Sequence, residues 1–518
     1  MRKNCPTILV FILLVMSGCA TLPTNFERLE SHAYTETANT TYGIRVSDMS
    51  AAHPGKSGFH LIGNGLDAFV ARAVLAHLAE RSIDVQYYLY HDDLVGRLFT
   101  DQLLKAADRG VRVRLLVDDM DLAGRDLGVT VMDSHPNIEV RIFNPFSRKT
   151  GRLSQFITRM GSVTRRMHNK SFTVDNQATI VGGRNIGDEY FDADPDMNFA
   201  DLDVLAIGPV VRDVSTAFDR YWNNELAYPA TVLTGKSPTP AEVEQLRGKL
   251  DEFISQQADS AYLQALRNSD LAEKIREKRV RYEWGDAEVV YDQPEKLLHS
   301  FEDTEYHLAP MLKPYFNGVQ EELIIFSPYF VPGKKGTALL SQLSRQGVRV
   351  RIFTNSLSSN DVGIVHAGYA KYRKDLLRAG VELYEMNKKL SREQRKEKKG
   401  VGGSSKASLY TKSFVFDRQQ VFIGSLNLDP RALLHNTEIG IVLISAETAN
   451  IMGDAFDQNI EKVAFRLELY TDHTGAENIR WHGRVDGKQR SFVTEPYVGV
   501  WRRLGIDFLG IFPIESQL

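Results

Sequence analysis

The chain has 518 residues, 43% of them hydrophobic and 25% charged, with a formal net charge of −3. That length and ordinary globular composition allow two or three domains whose residues mostly bury a normal core. The near-neutral balance gives no bulk attraction to nucleic acid, and a cysteine count of two excludes Cys-rich metal sites.

Arg2 and Lys3 precede an apolar run, Ile8 to Met16, that is too short to span a membrane. Met16-Ser17-Gly18-Cys19 then resembles the bacterial lipoprotein signal, in which that cysteine is lipidated and becomes the first mature residue. A plain signal peptide with a chance cysteine is the alternative. Cleavage there removes Cys5 and leaves Cys19 without an intrachain partner. The expectation is a signal peptide over 1–18 and a lipid-anchored tether over 19–57, because Thr21 to Tyr42 is polar and lacks periodicity.

Folded structure is expected from about Gly58. Apolar residues at helical spacing predict a helix over 67–79, and β-branched and aromatic residues predict a strand over 83–89. A helix over 96–107 and strands over 110–118 and 138–143 follow. The second half repeats the plan with a strand over 323–327, a helix over 336–345, a strand over 347–354, a helix over 366–379 and a strand over 381–384. Its Gly347-Val348-Arg349-Val350-Arg351 copies Gly110-Val111-Arg112-Val113-Arg114, 237 residues earlier. Between a first domain over 58–235 and a second over 291–468, the stretch Pro238 to Arg279 predicts a helical connector within 236–290 that starts on Pro240. Lys388 to Lys406 reads as a flexible basic loop. In the extension over 469–518, Asp486-Gly487 predicts a hairpin, and Trp501 to Pro513 suits either a membrane-interface segment or a docked helix.

The duplication includes a block of reactive residues. His168-Asn169-Lys170-Ser171-Phe172-Thr173-Val174-Asp175 is followed by Gly182 and Asn185, and Tyr410-Thr411-Lys412-Ser413-Phe414-Val415-Phe416-Asp417 by Gly424 and Asn427. The internal spacings agree throughout, and the two blocks lie 242 residues apart. If Met167 to Val174 is a strand, His168 and Lys170 share a face. An imidazole beside an ammonium suits attack on a phosphodiester, the lysine offsetting charge on the non-bridging oxygens. Asp175 reads as a turn former, and Gly182-Gly183 and Gly424-Ser425 as places where backbone amides approach a phosphate. One such block alone is a weak signal; two matched copies in duplicated domains are a strong one.

This pattern resembles the phospholipase D superfamily over nearly the whole chain after the tether. Gly182 to Phe191, Ser327 to Gly333 and Val365 to Arg373 look closest to bacterial C-type cardiolipin synthases and their lipoprotein relatives. The resemblance implies an α/β fold of two duplicated αβαβα sandwich domains packed about a pseudo-twofold axis, their motifs meeting in one site without metal or other cofactor. It implies a phosphohistidine formed on one histidine while the other protonates the departing alcohol. His168 is then the nucleophile, and Lys170 and Lys412 hold the phosphate with Asn185 and Asn427. Asp175 and Asp417 are the motif carboxylates, and Glu438 orients a histidine. His366 becomes a substrate contact, where its own surroundings suggest a packed helix face. The expected substrates are phosphatidylglycerol and phosphatidylethanolamine, handled by a monomer with an internal pseudo-dimer that is attached to the bacterial envelope and faces the periplasm. Ala20 after Cys19 resembles lipoproteins sent to the outer membrane, whereas cardiolipin synthesis suits the inner one. The basic loop would attract anionic head groups in that setting, or is merely solvated.

Tyr410 departs from the family, since a histidine belongs there. Three readings stand open: the tyrosine substitutes functionally beside Lys412, His366 or His435 substitutes for it, or this copy is catalytically dead. Hydrolysis of phospholipid or nucleic acid, and a non-catalytic lipid-binding protein, are the rival functions. Among other residues, Asp201 or Asp203 is expected to orient His168, the remaining one being solvated at a strand edge. Asp92-Asp93 and Asp118-Asp119 invite either a metal or a capping role. Of Tyr87 and Tyr88, one belongs to the core and one to a cleft.

Overall fold

The computed structural model describes residues 21–159, 161–194, 197–360, 362–388, 406–485 and 487–510. Cys19 with its signal, and most of the basic loop, lie outside the described residues.

Each half is built on a sheet of one strand order. The first half contributes β1 (Ser57–Ile62), β2 (Ser82–Tyr87), β3 (Arg112–Asp118), β4 (Ile138–Phe143), β5 (Ser171–Val174), β6 (Ala178–Gly182), β7 (Met197–Ala200), β8 (Asp203–Ile207) and β9 (Ala227–Pro229). Apart from β7, they pair in the order β9-β4-β3-β2-β5-β6-β8-β1. The second half contributes β10 (Glu283–Tyr291), β11 (Glu322–Phe326), β12 (Arg349–Thr354), β13 (Glu382–Met386), β14 (Lys406–Leu409), β15 (Ser413–Phe416), β16 (Gln420–Gly424), β17 (Ile439–Ile444) and β18 (Ala464–Thr471). Here the order is β18-β13-β12-β11-β15-β16-β17-β10, extended beyond β18 by the hairpin of β19 (Glu477–Val485) and β20 (Lys488–Phe492). The two orders superimpose strand for strand, which is the duplication expressed as topology.

Helices cover both faces of each sheet, as strand alternation requires. Val113, Leu115 and Val117 pack with α1 (Gly65–Leu78) and α2 (Leu94–Asp108), whereas Leu116 between them joins Phe218, Tyr221 and Trp222 of α4 (Val210–Trp222). A shorter helix, α3 (Asp126–Asp133), follows β3. The connector forms α5 (Pro240–Gln257), α6 (Ala261–Arg267) and α7 (Asp270–Arg276), and Thr239 and Glu242 close a capping box in front of Pro240. The second half repeats the layers with α8 (Gly333–Arg345), α9 (Gly363–Ala370) and α10 (Arg373–Arg378) on one face and α11 (Ala446–Val463) on the other. The helix expected over 366–379 is therefore two helices.

The arginines of the repeated GVRVR strands are buried, which a charged group tolerates only when paired. Arg114 makes two bonds to Asp84, at 2.7 and 2.8 Å, and one to Asp219 at 2.7 Å. Arg351 meets Glu322 at 2.6 Å and also pairs with Asp457.

The halves join through antiparallel pairing of β1 with β10 and through a shared core. Phe59, Val181 and Val204 of the first half sit in one apolar cluster with Val421, Ile423 and Ile441 of the second. That shared core fixes the two motif strands relative to each other.

One segment differs from expectation, and the tail takes one of its two expected forms, a docked helix. From Thr21 onward the supposed tether lies against the first half: Ser31 N donates to Asn223 Oδ1, Ala33 N donates to Asp219 Oδ2, and Arg28 stacks on Phe26, which itself packs on Tyr228. Backbone hydrogen bonds and one aromatic anchor are invisible to a periodicity test, so a polar stretch read as free is pinned. The tail forms α12 (Val500–Gly510) docked on α9, where Ile506 meets Gly363 and Arg502 bonds Asn360 O, while Trp501 is 87% exposed. As expected, β19 and β20 pair as a hairpin, Val485 opposite Lys488 with Gly487 at φ 72°, while Asp486 lies outside the described residues. No helix among the described residues is long and apolar enough to cross a membrane.

Candidate active site

The site forms where each half hands a strand end to the other. His168 and Lys170 precede β5 and are not part of a regular strand, contrary to the period-2 expectation. Their backbone leaves the first sheet because His168 N donates to Thr437 O at 2.8 Å, and Thr437 N to Arg166 O at 3.0 Å. The second half mirrors this: β14 runs parallel to β7, and Tyr410 N and Thr411 N both reach Ala200 O. Residues 437 and 200 are equivalent, so the carboxylates that follow them, Glu438 and Asp201, are equivalent as well.

His168 Nδ1 lies 2.8 and 3.0 Å from the two oxygens of Glu438. Glu438 is fully buried, accepts a hydrogen bond from the Ser425 hydroxyl, and donates its own amide to Asp292 Oδ2 at 2.8 Å. Lys296 backs Asp292 at 2.9 Å. Burial pushes the Glu438 carboxyl up to about 8 despite Lys170 nearby. Burial first, then the charges of Lys170, Lys412 and Arg431, hold His168 well below the usual histidine range. With Nδ1 turned to Glu438, an unprotonated imidazole presents Nε2 as a nucleophile. The ring meets Tyr88 edge-on at 4.9 Å and keeps 14% of its side-chain surface open. Tyr87, by contrast, is core, its hydroxyl bonded by Arg72. Alternation expected one of each without assigning them, and Tyr88 lies just past the end of β2.

Lys170 Nζ donates to His168 O, and Lys412 Nζ donates to Tyr410 O, both at 2.6 Å. Burial lowers Lys170 to about 7, with the nearby Lys412 charge adding to that fall and Glu438 and Asp201 opposing it. Two lysines and one histidine thus converge, ready to receive an anion.

The expectation that Asp201 or Asp203 orients His168 is corrected: that carboxylate comes from the other half, because the motif strands cross. Nor is either aspartate solvated. Asp203 is buried against Arg72 at 2.9 Å, and Asp201 is buried with Oδ2 4.0 Å from Lys412 Nζ and no hydrogen bond to that oxygen among the described residues. Asp201 thus stands toward Tyr410 as Glu438 stands toward His168. Tyr410 leaves it unanswered: its ring stacks on Phe199 at 3.6 Å, and its hydroxyl lies 3.1 Å from that of Tyr329.

Several sequence-derived site residues lie elsewhere. Asp175 and Asp417 sit at the far ends of β5 and β15. Asp175 accepts hydrogen bonds from the amides of Glu80, Arg81 and Ser82, and Asp417 from those of Gln320, Glu321 and Glu322, all at 2.7–3.0 Å. Each opens a turn in which two successive residues have φ near +50°. His366 is buried with Nε2 3.1 Å from Glu495 Oε1, in an ion-pair network with Arg373 and Glu385. Asn185 accepts from Leu89 N at 3.2 Å and donates to Tyr190 at 2.8 Å; Asn427 Oδ1 is buried and accepts no hydrogen bond among the described residues. The amides expected to face a phosphate are bonded to backbone instead: Gly183 N donates to Leu202 O at 3.4 Å, Gly424 N to Lys412 O at 3.3 Å and Ser425 N to Ile439 O at 2.9 Å. Asp93 caps α2, and Asp118 accepts the Met167 amide at 3.0 Å. No group of three metal-ligating carboxylates, histidines or cysteines occurs among the described residues.

Sequence reading also missed Ser425, Asp292 and Lys296, which hold Glu438. The contrast of Ser425 with Gly183 at matched positions was the available signal for the first.

Duplicated halves that exchange carboxylates over a His-x-Lys pair define a site of the phospholipase D type. A family model described as cardiolipin synthase, PLD-like domain, matches residues 75–222 and 312–460. Cardiolipin synthase C of Escherichia coli K12 is 41% identical over 481 residues, covering 91% of this chain and 98% of that protein. Cardiolipin synthase A of Pseudomonas syringae is 26% identical, covering 75% of this chain and 65% of that one. Among solved structures, phosphatidylserine synthase of Haemophilus influenzae shares the fold with a TM-score of 0.52 at 14% identity, over 80% of this chain and 90% of that one. The chain belongs to the phospholipase D superfamily, among its cardiolipin synthase-like members.

Proposed function

We propose that the protein is a phosphatidyltransferase that makes cardiolipin from phosphatidylglycerol, with or without phosphatidylethanolamine. His168 Nε2 attacks phosphorus, the bond from phosphorus to the head-group oxygen breaks, and the departing alkoxide takes up a proton. The hydroxyl of a second phosphatidylglycerol then displaces the histidine and loses its proton. Lys170 and Lys412 neutralise the phosphate through both steps. Asp175 and Asp417 act by fixing the strand ends and not by touching substrate, and Asn427 supplies a polar contact to the lipid phosphate. The enzyme works as a monomer attached to the bacterial envelope through Cys19. The observation that carries this reading is the Glu438-oriented His168 beside two converging lysines, in a chain 41% identical to a cardiolipin synthase over most of its length.

Tyr410 divides the two steps. A phenol with an ordinary pKa of ~10 can give a proton to the first leaving group, but near neutral pH the resulting phenolate takes a proton back from water, and the neutral phenol is a poor base for the second alcohol. The second step is therefore the slow one. Mass analysis of lipids after incubation with phosphatidylglycerol vesicles tests the proposal: cardiolipin is expected from the native chain, and none from His168→Ala. Phosphatidic acid alone would assign water as the acceptor; no product from either the native chain or Tyr410→His would remove the catalytic reading.

A further inference from the structure

We propose that the short helix Arg152–Thr158 is the surface by which the protein docks on an anionic bilayer, Leu153 and Ile157 entering the lipid. The helix is held from one side. Gln155 is fully buried, its Oε1 accepting the Ser147 amide at 2.7 Å and its Nε2 donating to Ser147 O at 2.9 Å. Phe156 packs on Phe146. Leu153 and Ile157 lie one turn apart on the face turned away from Gln155. They are 80% and 64% exposed, and neither joins an apolar cluster among the described residues. Hydrocarbon would bury both without asking for a hydrogen bond.

Charge selects an anionic leaflet. Six cations and no carboxylate occur between Asn144 and His168. Arg148, Arg152 and Arg166 are neutralised by Asp118, Asp119 and Asp126. The other three are not. Lys149 is exposed and has no ion pair among the described residues, Arg159 donates to Pro145 O and Gln155 Oε1, and Arg165 donates to the carbonyls of Lys296, Leu297 and His299. Cations beside exposed aliphatic side chains suit lipid phosphates over acyl chains. The stretch that Arg165 grips carries two more exposed apolar residues, Leu298 and Phe301.

Two contacts place this surface. On one side it leads into the cleft: Arg431 donates to Thr164 O at 3.0 Å, Arg166 O accepts the Thr437 amide, and His168 follows Ile157 by eleven residues. On the other, the hydroxyl of Ser147, whose backbone Gln155 clamps, donates to Thr21 O at 3.1 Å. Cys19 precedes Thr21 by two residues, which reach at most about 7 Å. A lipid on Cys19 therefore enters the membrane beside this helix, and anchor and helix meet one leaflet at the edge that leads to His168. The choice of a bilayer as partner rests on the lipid-anchored reading above, whereas the exposure and charge of the helix do not.

Depth in the bilayer supplies the test. Leu153→Cys, Ile157→Cys and Ile451→Cys are made in the full-length chain, labelled with a fluorophore whose position is confirmed by peptide mapping, and placed on phosphatidylglycerol–phosphatidylcholine vesicles. Ile451 is the control: it is 47% exposed on α11, whose Asp454 and Asp457 bind Arg418 beside the Asp417 turn, at the far ends of the strands. Quenchers carried in the acyl chains are expected to dim the labels at 153 and 157 by about threefold or more relative to that at 451, and less on phosphatidylcholine alone. Labels at 153 and 157 that stay open to iodide in water, on a chain that floats with the vesicles, overturn the proposal. So do labels shielded from both quenchers, since the chain before Thr21 would then cover the helix, and so does a chain that does not float. Because the readout is depth, a docked chain without turnover counts against the catalytic reading alone, and a docked chain without lipid on Cys19 counts against the anchor alone.

Discussion

Asp175 and His168 belong to one motif but do different things. Three backbone amides converge on the Asp175 carboxylate, and charge-assisted bonds of this kind contribute about 1.5–3 kcal/mol each before partial cancellation. Asp175→Ala leaves buried donors unpaired at a left-handed turn, and a loss of about 3–5 kcal/mol is expected. Thermal melting should fall while the turnover of molecules that remain folded stays close to native. A fall in turnover at unchanged melting temperature would instead place Asp175 in the chemistry. The pH dependence belongs to the same scale. Because His168 is held well below the usual histidine range by burial and the nearby cations, its imidazole stays unprotonated where an ordinary histidine takes up a proton, and no acid limb is expected in the ordinary histidine range. Lys170, lowered to about 7, is charged below that pH and loses its proton above it, so kcat/KM should decline on the alkaline side. A pH profile of Lys170→Arg, whose guanidinium does not titrate, should lose that alkaline decline.

At the scale of elements, the crossing of motif strands decides which carboxylate serves which histidine. Glu438 is held by Ser425 and by Asp292 through its own amide, whereas Asp201 faces Gly183 and lacks a hydroxyl partner of that kind. Glu438→Gln should cost roughly 10²–10⁴ in rate with little change in KM, measured on phosphatidylglycerol vesicles. Much of this scale was legible beforehand. The duplicated strands, the capped connector and the offset of the two motifs follow from periodicity and repeated spacing, which report local geometry. The exchange of carboxylates was not legible, because it depends on a long-range bond between His168 N and Thr437 O that leaves no mark on either segment's pattern. For the same reason Asp201 was given to the wrong partner, and the polar strap after Thr21 was read as free.

Taken whole, the molecule is a pseudo-dimer whose two halves keep one frame while differing at the matched pairs His168 and Tyr410, Glu438 and Asp201, and Ser425 and Gly183. The shared apolar cluster holds the halves in register whether or not position 410 carries a histidine. Asp201 stands at the position equivalent to Glu438, buried and with Oδ2 accepting no hydrogen bond among the described residues, so Tyr410→His should raise cardiolipin formation by about 10²–10⁴-fold, and Asp201→Asn should remove most of that gain. An unchanged rate in Tyr410→His would show that the tyrosine, or a neighbouring group, already suffices.

The central claim is that His168 carries the phosphatidyl group and that Tyr410 delays its release. It is tested most directly by rapid quenching of the native chain with phosphatidylglycerol, under alkaline conditions that preserve phosphohistidine, followed by peptide mapping. The account predicts a phosphatidyl adduct on His168 that accumulates in the native chain and decays faster in Tyr410→His. Lipid turnover that persists in His168→Ala, with no adduct on His168 in either protein, would contradict it.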